Sequence, residues 1–111
     1  MRNISFSHTT EQFRNRSKDV TRRLGWQRLT AGTHLMGVEK AMGLRKGEKI
    51  CKLGEIVVVS ARREPLEAIE ASDVRREGFP EWTVEQFVRF FCKAMGCEPS
   101  SLVTRIEFRY L

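Results

Sequence analysis

Four side chains near the N-terminus could act together on a bound molecule. They are Lys18, Thr21, Arg22 and Arg23, which lie within six consecutive positions. On a β-strand Thr21 and Arg23 point the same way, because successive side chains alternate between the two faces. Lys18 reaches the same place only if residues 16–19 form a turn, and the Ser-Lys-Asp sequence there is compatible with one. The spacing therefore predicts that a lysine, a hydroxyl group and an arginine can converge.

Two kinds of chemistry suit this set. A threonine hydroxyl is a poor nucleophile unless a base removes its proton. Lys18 can be that base for Thr21 once its pKa has fallen through burial or through the neighbouring cations Arg22 and Arg23. In the alternative interpretation, Lys18, Arg22 and Arg23 bind phosphate and Thr21 is an ordinary strand residue. The residue types alone favour phosphate binding.

Five segments have the apolar patterns of β-strands. The strongest contains four consecutive β-branched residues and is predicted to be a buried, central strand that Pro65 stops. In the last one Ile106, Phe108 and Tyr110 share one face and charged residues share the other, as in a half-buried antiparallel strand. A basic loop beginning at Gly43 is predicted over residues 43–49. The predicted strands cover residues 4–6, 20–24, 35–39, 54–60 and 102–111.

Two capping boxes mark the starts of helices. Thr9 with Gln12 predicts a short helix that ends near residue 15. Thr83 with Gln86 begins the clearest helix, in which apolar residues recur at helical spacing until Gly96 closes it. The first helix follows the first predicted strand, and the second precedes the last one.

Two shorter helical turns are predicted between the central strand and the long helix. One covers residues 66–70, and the other covers residues 74–77 with Ser72 and Asp73 as its cap. Strands dominate and do not alternate regularly with helices, which favours an α+β fold with an antiparallel sheet or small barrel over a parallel, doubly wound sheet.

The charge is unevenly distributed along the chain. The net charge is +6, and residues 1–63 carry 14 Lys and Arg against 5 Asp and Glu, whereas residues 64–111 carry 6 against 9. Most of the cations are arginines, whose planar guanidinium groups suit phosphates and base edges. The basic half suggests a nucleic acid, a nucleotide or another anionic partner, or else a solvated face that aids solubility.

Length and composition limit the other possibilities. A chain of 111 residues has room for one hydrophobic core, so we expect a single domain over residues 1–111. No apolar run approaches the roughly 20 residues of a membrane span, and we expect a cytoplasmic protein without membrane contact. The three cysteines do not suggest a disulfide framework, and the spacing of Cys92 and Cys97 is poor for zinc.

The chain resembles the ASCH domain family. Lys18-x-x-Thr21-x-Arg23 is similar to the family signature G-x-K-x-x-T-x-R, which also follows a short helix. Further similarities follow in order along nearly the whole chain, at residues 31–33, 77–79 and 106–111.

Two positions depart from the family pattern. The signature glycine is Arg16 here, which makes the geometry of the turn before Lys18 a question for the structure. The family's Gly-Asp step is Gly32-Thr33, which removes a carboxylate there.

The resemblance implies a fold and an activity. The fold is a single small PUA-like β-barrel of mostly antiparallel strands, flanked by two to four short helices. Some small bacterial members are amidohydrolases that remove acyl groups from N4-acylcytidines such as N4-acetylcytidine, and their catalytic residues fall on Lys18, Thr21 and Glu77. In the implied mechanism Lys18 is the base, Thr21 the nucleophile and Glu77 the proton shuttle, and either Arg23 or a main-chain N–H stabilises the oxyanion.

Other members of the family are thought to bind RNA, and some are reported to cleave it, so the alternative is a non-catalytic module that binds RNA or a modified base. The expected partners are a small modified nucleoside and, as a second candidate, RNA, for a monomer or weak homo-oligomer without cofactor or metal. The substrate-binding residues are predicted to be Arg22, Arg23, Phe79 and Trp26, although a tryptophan in so small a domain more often packs in the core.

Overall fold

The computed structural model describes residues 1–40 and 44–111. Within these ranges there are five strands, three α-helices and one turn of 3-10 helix. In chain order they are β1 (Arg2–Ser5), α1 (Thr10–Arg14), β2 (Val20–Arg23), β3 (His34–Val38), β4 (Lys52–Pro65), the 3-10 turn (Leu66–Ala68), α2 (Ala71–Arg76), α3 (Val84–Met95) and β5 (Leu102–Tyr110).

The strands form one mixed sheet in the order β1-β3-β4-β5-β2. Only β1 and β3 are parallel, and every other neighbouring pair is antiparallel. The sheet curls into a half-barrel, which confirms the expected α+β fold with a PUA-like barrel of mostly antiparallel strands. The longest strand, β4, pairs with both β3 and β5 and shifts register between Val58 and Ser60. Such a bulge bends a strand, so β4 can follow the curve of the barrel as far as Pro65.

Two hydrophobic clusters hold these elements together. One fills the inside of the half-barrel, and the other lies where α2 and α3 pack against the outer part of β5. The inner cluster contains Ile4, Phe6, Phe13, Leu35, Ile56, Val58, Ile106 and Phe108. The outer cluster contains Leu66, Ile69, Val74, Phe87, Phe91 and Val103.

The helix caps differ in how well the local sequence predicts them. Thr83 and Gln86 form the predicted capping box at α3, with hydrogen bonds in both directions. Thr9 is the N-cap of α1 but its side chain makes no capping hydrogen bond. The prediction that Ser72 and Asp73 cap α2 was wrong, because both lie inside that helix. Asp73 is instead buried against arginines, as described below.

Two further predictions concern the loop and the membrane. Residues 44–49 of the predicted basic loop contain neither helix nor strand, and Gly43, where that loop begins, lies outside the described residues. In the part of the chain that the structure describes, no helix combines the length and the apolar character that crossing a bilayer requires.

Candidate functional site

The turn that precedes β2 delivers Lys18 to the interior. It closes α1 as a Schellman motif, in which the main-chain N–H of Ser17 donates to Gln12 at 3.0 Å and that of Arg16 donates to Phe13 at 3.1 Å. Arg16 occupies the left-handed position of this motif, with φ of 62°. The turn therefore has the geometry that the glycine of the ASCH signature would favour, although an arginine occupies it.

Lys18 lies at the base of a pocket of about 240 Å³. The pocket is polar where β2 and the end of α2 meet, and apolar where α3 closes it. The polar wall contains five of the seven predicted site residues: Lys18, Thr21, Arg22, Arg23 and Glu77. Phe79, the sixth, lines the same pocket.

Lys18 and Glu77 form a buried ion pair. The Nζ atom of Lys18 donates to Oε1 of Glu77 at 2.7 Å and to the main-chain carbonyl of Glu77 at 2.9 Å. Both residues are 2% exposed. Gly78 makes this approach possible, since it has φ of 105° and a Cβ there would lie 2.6 Å from Cγ of Gln12. The glycine thus brings Glu77 against the turn that carries Lys18.

Burial lowers the pKa of Lys18 below its ordinary value of 10.5. The carboxylate of Glu77 acts in the opposite direction and raises this pKa, while the cations Arg23 and Arg22 lower it further. Desolvation is the largest of these effects, so the net shift is downward. The ammonium of Lys18 consequently gives up its proton more readily than that of a solvated lysine.

Thr21 lies on β2 next to Arg23, as alternation along the strand predicts. The Nε atom of Arg23 donates to Oγ1 of Thr21 at 3.1 Å, and the guanidinium lies 5.0 Å from the centre of the Phe6 ring. Burial lowers the pKa of Arg23 to about 10, which leaves it charged at neutral pH. Its two terminal nitrogens donate to no other described residue and are available to a bound oxygen.

Arg22, between Thr21 and Arg23 on β2, binds two carboxylates of the α2 segment. It donates to Oε2 of Glu77 at 3.0 Å, to Oδ2 of Asp73 at 2.6 Å and to Glu64 at 3.2 Å. Arg105, beside Arg22 on β5, binds Asp73 with two hydrogen bonds of 2.6 and 3.1 Å. These arginines hold the pKa of Asp73 well below its usual range despite the opposing effect of burial. The network fixes α2, and thereby Glu77, against the sheet.

Aromatic side chains form the apolar wall of the pocket. The rings of Phe79 and Trp82 stack at 4.1 Å with an angle of 8° between their planes, and Phe90 lies against both. His8 meets the edge of Phe90 at 6.0 Å from the loop that follows β1. The pocket suits a planar, partly apolar ligand, because it contains aromatic rings as well as charged groups.

Trp26 is the predicted binding residue that lies elsewhere. It adopts a left-handed conformation, with φ of 59°, and its ring lies 4.1 Å from the guanidinium carbon of Arg2. The ring packs partly buried against the inner cluster and lines a different cleft, with Arg28 and His34 among its neighbours. Phe90 lines the pocket in place of Trp26, and Trp82 packs against Phe90 beside the pocket.

Several residues in and around the pocket had no functional signal in the sequence. The loop of residues 5–9 forms one side of the pocket, and no pattern in the sequence assigned His8 to a site. Arg105 was placed on a solvated face of the last strand but is 5% exposed, because Asp73 of α2 covers it. A lone charged residue in a strand of alternating polarity gives no indication that a helix will cover it. Among the described residues, no group of three or more His, Cys, Asp or Glu is arranged to hold a metal ion.

Three solved structures share this architecture. The hypothetical protein PH0355 has a TM-score of 0.69 at 14% identity, over 100% of both chains. The ASCH domain from Lactobacillus crispatus JV V101 has a TM-score of 0.61 at 15% identity, over 98% of this chain and 78% of the other. Protein EF3133 from Enterococcus faecalis V583, described as DUF984, has a TM-score of 0.61 at 18% identity, over 92% of this chain and 69% of the other.

These similarities show that the chain has an ASCH-like fold. No family model matches the sequence. No curated protein matches it either. The structural likeness supports the fold and leaves the chemistry to be argued from the pocket.

Proposed function

We propose that the protein is an amidohydrolase that removes the acyl group from N4-acylated cytosine nucleosides. The observation that carries this proposal is the buried contact of Lys18 with Glu77 in a small pocket that Thr21 and Arg23 also line. The pocket volume of about 240 Å³ is below the range of pockets that take drug-sized ligands, so it suits a single base or nucleoside. Phe79 and Phe90 line the pocket beside the charged groups and supply aromatic contacts for a base.

In the proposed acylation step, Oγ of Thr21 attacks the carbonyl carbon of the amide and its proton passes to neutral Lys18. The bond between that carbon and N4 of cytosine then breaks. N4 receives the proton through the Glu77 carboxylate, and cytidine departs. The acyl group remains on Thr21 as an ester. The terminal nitrogens of Arg23 would stabilise the negative charge on the carbonyl oxygen.

In the proposed deacylation step, water attacks the ester and gives a proton to Lys18. The bond to Oγ breaks, Thr21 recovers its proton and the carboxylic acid departs. The sum is one amide and one water converted to one amine and one acid. The mechanism requires Nζ of Lys18 to approach Oγ1 of Thr21 in the substrate complex, where catalytic hydrogen bonds commonly tighten.

The opposing charge of Glu77 does not prevent this use of Lys18. Its carboxylate also accepts a hydrogen bond from the guanidinium of Arg22. This second cation weakens the attraction that would otherwise hold the proton on Lys18. Burial outweighs the remaining attraction, and the pKa of Lys18 is lowered overall. Activity should therefore increase with pH as Lys18 loses its proton, and it should level off below the pH at which a solvated lysine titrates.

The experiment is an ultraviolet assay of N4-acetylcytidine hydrolysis with the parent protein, Lys18→Met, Thr21→Ala and Glu77→Gln. We expect each substitution to lower kcat by about 10²- to 10⁴-fold, the range typical of acid–base and nucleophilic groups. Lys46→Met and Thr30→Ala are the matched controls, since both residues are exposed, and they should retain full activity.

Different outcomes would overturn different parts of the proposal. Hydrolysis that survives Thr21→Ala would exclude the covalent mechanism while retaining the reaction. Absence of hydrolysis by the parent protein, with acetyl and longer acyl groups, would exclude the amidohydrolase. The pocket would then be assigned to binding a modified base.

A further inference from the structure

A second cleft, of about 400 Å³, lies beside the turn that precedes β2, and half of its lining residues are arginines. The turn contributes to both cavities, since Lys18 lines the pocket whereas Arg16 and Ser17 line this basic cleft. The residues of the basic cleft are Arg16, Ser17, Asp19, Arg75, Arg76, Phe108, Arg109 and Tyr110. Four arginines from the turn, α2 and β5 therefore face one cavity.

Among the residues that the structure describes, carboxylates pair with only one of these arginines. Arg76 makes two hydrogen bonds of 3.0 Å to Asp19 and an ion pair of 3.4 Å with Glu107. Arg16, Arg75 and Arg109 form no ion pair within residues 1–40 and 44–111, and all three are exposed. Asp19 lines the cleft as well, but it binds Arg76, so the charges of the other three arginines repel one another and an anion in the cleft would relieve that repulsion.

The position of Arg16 adds an independent observation. A non-glycine residue in the left-handed region is strained, by roughly 1–2 kcal/mol for an L-residue. The strained backbone places the guanidinium 5.1 Å from the centre of the Tyr110 ring, inside the cleft. Glycine would relieve the strain but would remove this cation, so the sequence retains an arginine where the turn disfavours one. Strain of this kind occurs preferentially at functional positions.

We propose that the basic cleft binds the phosphodiester backbone of a single-stranded polynucleotide. The unpaired cations come from three separate elements, which suits successive phosphates better than a single one. Arginine forks match phosphate oxygens, and the Tyr110 ring lies beside them. This assignment does not depend on the proposed amidohydrolase, because it concerns a different cavity and different residues.

The test measures fluorescence anisotropy of a labelled 12-residue oligouridylate over a range of salt concentrations. The cleft variant is Arg16→Gly with Arg75→Gln and Arg109→Gln. The matched control is Arg28→Gln with Arg45→Gln and Arg89→Gln, which removes the same charge from exposed arginines elsewhere. We expect the cleft variant to bind at least about tenfold more weakly at low salt and to reduce the salt slope by about 2, whereas the control retains most of the affinity.

Three results would overturn the proposal. The first is equal loss of affinity in the two variants, which would indicate attraction by net charge alone. The second is no detectable binding by the parent protein at low salt. The third concerns competition with the labelled oligonucleotide. If uridine monophosphate or inorganic phosphate competes as effectively, per phosphate, as unlabelled oligouridylate does, the cleft is a site for one phosphate.

Two added arms separate this result from the others. Oligothymidylate of the same length distinguishes a general backbone site, with similar affinity, from one that depends on the 2′-hydroxyl. Hydrolysis of N4-acetylcytidine should be unchanged in Arg75→Gln with Arg109→Gln, which leaves the turn before Lys18 intact, so failure of binding and failure of the proposed catalysis are scored separately. Thermal unfolding of both variants verifies that they are folded.

Discussion

Glu77 and Asp73 lie four positions apart in the α2 segment, and both bind Arg22, yet their other partners differ. Glu77 pairs with the ammonium of Lys18 at the base of the pocket. Asp73 pairs with the guanidinium of Arg105 beneath the helix, away from the pocket lining. The α2 segment therefore holds two buried ion pairs, one in its first turn and one at its C-terminal cap, that share Arg22.

The difference lies in which cation can lose its charge. A guanidinium stays protonated in proteins, so the pair of Asp73 with Arg105 is permanently ionic. The pKa of a lysine moves readily on burial, and that of Lys18 is lowered. The Asp73 pair is suited to fixing α2 on the sheet, and the Glu77 pair is suited to exchanging a proton.

The largest effect should come from removing one carboxylate from each pair. Asp73→Asn leaves Arg22 and Arg105 buried with too little negative charge, and breaking a buried pair typically costs about 3–5 kcal/mol. Glu77→Gln leaves Lys18 without its carboxylate partner, but Lys18 can become neutral. This substitution should therefore lower the free energy of unfolding by only about 1–2 kcal/mol. Urea unfolding at pH 7 measures both changes.

Glu81→Gln is the control for this comparison. Glu81 is exposed and forms no ion pair with a described residue, so its substitution should leave the free energy of unfolding nearly unchanged. An equal loss from Asp73→Asn and Glu77→Gln would contradict the distinction, because it would mean that Lys18 cannot relieve its own charge.

The next effect is a pH dependence that only the Glu77 pair should have. Lys18 has its ordinary pKa of 10.5 in the unfolded chain and a lower one in the fold, so the unfolded chain binds more protons between these values. The free energy of unfolding should therefore rise with pH across that window, by at most about 1.4 kcal/mol per pH unit. Lys18→Met should abolish this contribution, as urea unfolding between pH 7 and 10 can measure.

Lys46→Met, an exposed lysine, should preserve the slope of the parent protein. Tyr110 acts in the opposite direction, because burial raises its pKa to about 12 and folding then becomes less favourable as pH rises above 10. That contribution is common to all three proteins and cancels in their differences. Identical slopes in the parent and Lys18→Met would show that Lys18 keeps its proton throughout.

Local sequence signals were sufficient for most of the fold. The capping box of Thr83 with Gln86 and the five strand patterns depend on residues close in sequence, and all of them are present. The convergence of Lys18 with Thr21 and Arg23 followed from spacing and alternation, because one turn and one strand place these side chains. Each of these predictions needed only a few consecutive residues.

The other features of the site depend on contacts between segments that are distant in sequence. Glu77 lies 59 positions from Lys18, and only the resemblance to ASCH domains singled it out. Asp73 was predicted to cap a helix, but the two arginines that bind it lie 51 and 32 positions away. Burial of a charge by a packing helix has no local pattern, so the ion pairs that distinguish the two carboxylates could not be predicted from sequence.

The smallest expected effect concerns the turn that places Lys18 in the first pair. Arg16→Gly relieves the left-handed strain, whereas Arg16→Ala retains it, and both remove the contact with Tyr110. Arg16→Gly should therefore be more stable than Arg16→Ala by about 1 kcal/mol in urea unfolding, after allowing for the greater freedom of glycine in the unfolded chain. The same pair of substitutions at Arg14, which is helical, should reverse the order, since glycine there costs up to about 1 kcal/mol relative to alanine. If the free energy of unfolding of Arg16→Ala equals or exceeds that of Arg16→Gly, the turn does not hold residue 16 in the left-handed conformation. Lys18 then reaches Glu77 by another path.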